Sequence, residues 1–360
     1  MENNMSYKML VLNMGSTSTK VAVYRDEEKV WQESLEHPRE EITKFPRFLD
    51  QYDYRKQAIL NALAGHGEQL GSFDVFVSRG GTTKPIPGGV WTINEAMLED
   101  AWSGLYGDHP CTLGGQISYD FAREMGRRAL TVDSPNCSEL SVLARYSGLP
   151  EIERIASFHN LNQRAIAKRF ARETGRDYKS LNLIVAHMGG GVSVGAHAHG
   201  QIVDVNNALA GDGPFAMERA GTIPSGDLIR MCYSGKFSEA EVLRRVNGRG
   251  GVFAYLGLTD ARKIQERIDQ GDAEAKSVSE AMAYQIAKEI GGLATVFQGK
   301  VDAILLTAGL AHWKFLVDRI TEAVEFIAPV KVYPGENEMA SLAEGVYRGL
   351  TGQEPVQEYK

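Results

Sequence analysis

Two short stretches of this chain share one pattern, and their repetition constrains the fold more than any other feature. Residues 9–12 are apolar, residues 13–20 (NMGSTSTK) are polar, rich in hydroxyls and opened by Gly15, and residues 21–24 are apolar again. Such a run predicts strand, turn, strand. About half the chain later, residues 183–186 lead into His187, Met188 and the glycines Gly189, Gly190 and Gly191. An apolar run over 192–196 follows, and residues 202–205 add a third strand. Like hairpins at half-chain spacing suggest an internal duplication, although two short loops alone leave it undecided. A chain of 360 residues has room for two domains.

The rest of the chain is mixed. Residues 73–77 read as a strand entering Ser78-Arg79-Gly80-Gly81. Residues 301–306 read as another, entering Thr307-Ala308-Gly309 and then a helix over 312–328. Further helices are expected over 55–64, 93–102, 113–125, 161–174, 272–297 and 338–350. Ser238-Glu239-Ala240-Glu241 is a capping box that opens a short one. Strands and helices mixed throughout define the class as α/β. No Pro/Ser-rich linker separates the halves, and the expected joint lies near Gly148-Leu149-Pro150.

Composition excludes several functions. With 39 Lys+Arg against 46 Asp+Glu the net charge is −7, which disfavours non-specific binding to nucleic acid or to an anionic membrane. No stretch approaches the roughly 18 apolar residues of a transmembrane helix. The polar N-terminus has the wrong flanks for a signal peptide. Cys111, Cys137 and Cys232 are far apart and form neither a disulfide framework nor a zinc spacing. The expectation is a cytoplasmic protein.

The glycine loops carry the chemistry. Phosphate needs backbone N–H groups that converge on it, and β-carbons obstruct that approach. Gly15 with Ser16, Thr17 and Ser18, and Gly189 to Gly191, fit such a role. Either loop alone reads first as an ordinary tight turn, but two alike loops plus Ala308-Gly309 at a strand end favour a nucleotide. The segment ending in Lys20 lacks the glycine of a P-loop and runs into a strand rather than a helix. No G-x-G-x-x-G follows a strand, so a dinucleotide fold is not supported. Arg79 and Arg219 sit in glycine-rich settings that suit a phosphoryl or carboxylate oxygen, the alternative being solvated arginines. Candidate acids and histidines are Asp108, His109, Asp133, His159 and Glu338. Asp133 ends a strand, where Mg²⁺ ligands are often placed. His197 and His199 alternate on one strand face and are expected to be exposed hairpin residues rather than metal ligands.

At this point the chain resembles a family. Eight stretches match in order: 13–20, 78–89 (SRGGTTKPIPGG), 107–115 (GDHPCTLGG), 185–197 (VAHMGGGVSVGAH), 203–228, 248–257, 306–311 (LTAGLA) and 333–345 (YPGENEMASLAEG). They resemble the acetate kinase group on its butyrate kinase branch. That group lies within the superfamily of acetate and sugar kinases, heat-shock ATPases and actin. The resemblance implies two duplicated ribonuclease H-like domains of the actin-like ATPase fold flanking an ATP cleft. The first would comprise residues 1–155 plus 340–360 and the second residues 156–339. It also implies reversible phosphoryl transfer between ATP and a short-chain carboxylate, giving ADP and an acyl phosphate, with Mg²⁺ required. Butyrate is the expected substrate, with isobutyrate, acetate or propionate as alternatives. A sugar-type kinase or a chaperone-like ATPase switch is the more remote reading. A homo-oligomer, at least a dimer, is expected.

Carried over position by position, the resemblance makes Asn13, Gly15 and Ser16, with Lys20 beside them, the first phosphate loop. His187 with Gly189, Gly190 and Gly191 would be the second, and Thr307 to Gly309 the nucleoside turn. Arg79 and Arg219 would hold the carboxylate and the migrating phosphoryl. His159 would stabilise the transition state. Asp133 would lie near Mg²⁺ or the attacking oxygen, and Glu338 on the Mg²⁺ side. Three positions depart from the family pattern: Met14 stands for a usual proline, Met188 for a leucine and Ala308 for a glycine. The last would add a methyl near the nucleoside.

Overall fold

The structure, a computed structural model, describes residues 6–106, 109–209 and 211–360. The chain folds as two compact units. The first is Met1–Cys137 with Asn337–Lys360, and the second is Ser138–Glu336. The strands in chain order are β1 (Lys8–Met14), β2 (Ser18–Arg25), β3 (Glu28–Glu36), β4 (Val75–Ser78), β5 (Val90–Thr92) and β6 (Arg128–Val132). They continue with β7 (Asn182–Met188), β8 (Val192–Ala198), β9 (Gln201–Val205), β10 (Ala303–Ala308), β11 (Val330–Pro334) and β12 (Val356–Glu358).

The first unit has a seven-stranded sheet in the order β12-β5-β6-β4-β1-β2-β3, and the second a five-stranded sheet in the order β11-β10-β7-β8-β9. Each contains the same five-strand pattern. β1, β2 and β3 form an antiparallel meander, and β4 and then β6 add in parallel beside β1. β7, β8 and β9 form the equivalent meander, with β10 and β11 parallel beside β7. Even the irregularity is repeated, since the register shifts once between β2 and β3 and once between β8 and β9. The duplication read from the two hairpins is therefore present strand for strand.

Sequence explains the central strands directly. Met9, Leu10, Val11 and Leu12 are all buried, as are Leu183 to Ala186. A strand covered on both faces reads as an unbroken apolar run. In the first unit the helix Cys111–Met125 packs on β4 and β6 and ends at Gly126, whose φ of 62° closes it in the left-handed region. The helix Glu338–Leu350 packs on β1 and β6. In the second unit the helices Asn160–Thr174 and Ala273–Ala294 pack on β7. Met14 and Met188 both lie within the apolar cores, so both are packing residues.

Residues 138–155 belong with the second unit, whereas the sequence suggests a boundary at 155 and a joint near 148–150. Their ties explain this. Ser141 N–H donates to the Val203 carbonyl at 2.9 Å, Arg154 Nη1 reaches Asp204 Oδ1 at 3.2 Å, and Glu139 pairs with buried Arg164. Leu140 and Ala144 pack with Ile202 and Val205. Among the described residues no helix is long and apolar enough to cross a membrane.

Candidate active site

Parallel strands bring the candidate residues of the first unit to one sheet edge. Leu12 of β1 is in register with Ser78 of β4, so the next residues, Asn13 and Arg79, emerge side by side. β6 runs parallel to β4, and Asp133 follows its last residue at the same edge. The carboxyl ends of parallel strands are where open α/β sheets bind ligands. Glu338 completes the group from the first turn of its helix, which Asn337 caps by accepting from the Ala340 N–H. Asn13 Nδ2 donates to Glu338 Oε2 at 2.6 Å, and Arg79 Nη1 pairs with Glu338 Oε1 at 3.1 Å. Together with Gly15, Ser16 and Lys20 these residues line a cavity of about 210 Å³. The structure thus gathers six residues singled out in the sequence.

His109 lines the same cavity. Its Nδ1 accepts from the Cys111 N–H at 3.1 Å, which leaves the proton of the neutral ring on Nε2. Burial, reinforced by the Arg79 guanidinium and opposed by Glu338, pulls its pKa down to about 4. Near neutrality it is an uncharged N–H donor. Asp108, its neighbour in sequence, lies outside the described residues. Asp133 is not in the cavity lining. Its φ is 48°, and it clamps the turn at Gly89: Oδ1 accepts from the Gly89 N–H at 2.9 Å, and its own N–H donates to the Gly89 carbonyl at 3.0 Å.

The second unit repeats the arrangement. β7, β10 and β11 are parallel, and Gly189, Gly309 and Gly335 follow their last residues. Gly189 N–H donates to the Gly191 carbonyl, closing the turn, and Glu218 N–H donates to the Gly190 carbonyl. The Arg219 side chain lies flat on this turn. A β-carbon at residue 191 would stand 1.7 Å from Arg219 Nη1. Arg219 Nε donates to Asn247 Oδ1 at 3.2 Å, while Nη1 is buried with no partner among the described residues. Burial lowers the Arg219 pKa, against the opposing charge of Glu218.

His159 and His187 stack face to face, with ring centroids 3.7 Å apart and planes within 4°. His187 Nδ1 meets Asn162 Oδ1 at 2.8 Å, and Nε2 meets Glu336 Oε1 at 3.2 Å. His159 Nδ1 meets Ser193 Oγ at 2.9 Å, and Gln163 Nε2 donates to the same hydroxyl at 2.9 Å. His197, expected to be exposed, is fully buried. The helix Asn160–Thr174 brings Gln163 Oε1 to its Nε2 at 3.1 Å, and Tyr178 OH lies 2.8 Å from its Nδ1. Burial, with Arg164 nearby, depresses its pKa well below the usual histidine range. His199, on the turn, is exposed as expected.

Thr307 sits opposite His187 in the β10–β7 register, its hydroxyl buried and without a partner among the described residues. Gly309 borders a cavity of about 630 Å³ together with Gln265, His312 and Trp313. Ala308 is fully buried with φ 72° and ψ −169°, a region that belongs to glycine.

Among the described residues no cluster of three or more His, Cys, Asp and Glu side chains could hold a metal ion. A Mg²⁺ bound with nucleotide takes one or two carboxylates, its other ligands being water and phosphate oxygens. A single carboxylate beside a phosphate-sized cavity, as Glu338 is, fits that requirement. Sequence reasoning missed Arg55, Asn162, Gln163 and Asn247. Each acts by holding another residue or a loop in place, a role without a motif.

Two sheets of one topology, each with a glycine turn at the carboxyl ends of its parallel strands, define an internally duplicated α/β fold. The fold matches the solved acetate kinases of Porphyromonas gingivalis (TM-score 0.76, 19% identity, 94% of this chain and 99% of that one) and Entamoeba histolytica (TM-score 0.73, 18% identity, 94% and 98%). A model of the acetokinase family matches residues 150–344. "Butyrate kinase 2" of Clostridium acetobutylicum is 48% identical over 99% of this chain and 100% of its own length. The chain belongs to the acetokinase family.

Proposed function

We propose that the protein is a butyrate kinase that transfers the terminal phosphoryl group of ATP to the carboxylate of butanoate. The observation that carries this reading is the convergence of Asn13, the 15–18 loop, Arg79 and Glu338 on one cavity of the first unit. Near-full-length similarity to a protein named as a butyrate kinase supports it.

The reaction needs no strong base, because a carboxylate is already anionic at pH 7. A carboxylate oxygen forms the new bond to phosphorus, the bond from phosphorus to the bridging oxygen breaks, and ADP leaves. The obstacle is repulsion between two anions. Positioning and positive charge around the equatorial oxygens lower it. In the first unit Arg79 is suited to an oxygen of the carboxylate or of the migrating phosphoryl group, and in the second unit Arg219 is suited to the same chemistry. In the first unit His109, and in the second His159, is suited to donate an N–H group to an oxygen that gains charge. Asn13, Ser16 and Lys20 hold the phosphates from the first unit. In the second unit the Gly189–Gly191 turn and the Thr307–Gly309 turn are suited to a nucleotide. Glu338 would hold Mg²⁺, which when bound would supply charge neutralisation to the phosphates.

A coupled assay with butyrate, isobutyrate, propionate, acetate, glycerol and water as acceptors tests the reading. Each buried methylene is worth about 0.8 kcal/mol, so a four-carbon acid is expected to exceed acetate in kcat/KM by about tenfold. An acetate value equal or higher would overturn the butyrate assignment. Transfer to glycerol alone would overturn carboxylate transfer as a whole.

A further inference from the structure

The turn between β1 and β2 is shaped by a residue outside it. Arg55, in the helix Tyr52–Gly65, is fully buried beneath that turn. Its Nη1 donates to the carbonyls of Gly15 at 2.9 Å and Ser18 at 3.1 Å, and to Thr19 Oγ1 at 3.1 Å. Nη2 donates to the Ser16 carbonyl at 2.8 Å, and Nε to Gln51 Oε1 at 2.9 Å. The remaining carbonyl of the turn, that of Thr17, accepts from the His37 N–H at 2.8 Å. All four carbonyls over 15–18 are therefore tied to protein donors.

In a planar trans peptide the N–H points opposite to the carbonyl before it. The Gly15 and Ser16 carbonyls, drawn down to a buried guanidinium, thus leave the N–H groups of Ser16 and Thr17 facing the other way, the orientation an anion needs. The charge adds a second effect. Every acceptor of Arg55 is neutral, and among the described residues no carboxylate pairs with it; the Phe48 ring packs 4.5 Å from its guanidinium carbon. Burial lowers its pKa to about 10, so it stays charged at neutral pH. A buried cation without a counter-charge is costly, and an anion above the turn would supply one.

We propose that Arg55 is a positioning residue for phosphate: its unpaired buried cation holds the carbonyls of Gly15, Ser16 and Ser18 inward and gives the turn a positive potential toward the terminal phosphates of ATP. This rests on the reading of 15–18 as a phosphate loop.

The decisive variant is Gln51→Glu, which keeps the shape and the hydrogen bond to Nε but gives Arg55 a carboxylate partner. The full-length protein is titrated calorimetrically with MgATP and with adenosine at low salt, and its melting temperature is recorded. Gln51→Glu is expected to melt no lower than the unmodified protein and to bind MgATP about tenfold more weakly, with adenosine affinity held within roughly twofold. Arg55→Met should lose more MgATP affinity, and Arg55→Lys should recover part of it, since charge returns without the fork. If Arg55→Met does not fold, Gln51→Glu still decides the matter. Unchanged MgATP affinity in folded Gln51→Glu, or an equal loss for MgATP and adenosine, would overturn the proposal. Unmodified protein that binds MgATP no more tightly than adenosine would instead overturn the phosphate-loop reading, and the proposal with it.

Discussion

Arg219 can lie where it does only because residue 191 has no side chain. Gly191→Ala would place a methyl 1.7 Å from Nη1, so the guanidinium must leave its position on the turn. The expected result is a fall in kcat/KM approaching that of Arg219→Ala, about 100-fold, the range for losing one preorganised electrostatic donor. Gly190→Ala is the control. Its β-carbon would meet only Glu218 Oε2, at 3.4 Å, and steady-state kinetics should show a much smaller loss. Sequence marked all three glycines alike, because a motif records that glycine is present and not which approach requires it. Ala308 was more legible. The resemblance leads one to expect glycine there, and the Ala308 φ of 72° lies in the region glycine favours. Its methyl is buried in the strand end. Ala308→Gly should therefore relieve strain and raise unfolding free energy by about 1 kcal/mol in urea titrations.

At the scale of elements, the strands that deliver the site were readable because both faces are buried. The edge strand β3 was not, since Glu28–Glu36 is largely exposed and charged. The 338–350 helix was readable to the residue. What the sequence could not show was that its first turn meets the ends of β1 and β4, since those contacts span more than 250 residues. That meeting predicts a separable effect. Glu338→Gln retains a hydrogen-bonding side chain for Asn13 but removes the anionic charge. The Mg²⁺ concentration for half-maximal rate should rise about tenfold or more, as for loss of a metal-supporting carboxylate. The melting temperature should change little, because the pair with Arg79 is partly exposed. An unaltered Mg²⁺ requirement would remove Glu338 from the metal side.

For the whole molecule, the duplication was visible from two hairpins, but the polar interior was not. His197 shows why. Alternation on a strand places it on one face, and only the packed helix decides whether that face is covered. Three histidines are held neutral by their surroundings, His37 and His197 buried and His109 half-buried. His37 is pulled down to about 4, chiefly by burial and then by the Arg55 charge, with Glu36 opposing. His109 is also near 4, and His197 is well below its ordinary range. In the unfolded chain each would titrate near 6.5. Below that pH the unfolded state takes up protons that the folded state refuses, so stability is complete above about 6.5 and falls as pH drops toward 4. The slope is about 1.4 kcal/mol per pH unit for each histidine within that window. His37 hydrogen-bonds Thr19 and lies outside the cavity lining, so His37→Gln should remove about one proton from the uptake linked to unfolding of the first unit, leaving the His197 contribution of the second intact. Urea titrations between pH 8 and 4.5 measure that slope. A stability profile flat from 6.5 to 4.5 would show that these histidines accept protons in the folded state, and would remove the neutral donor role assigned to His109.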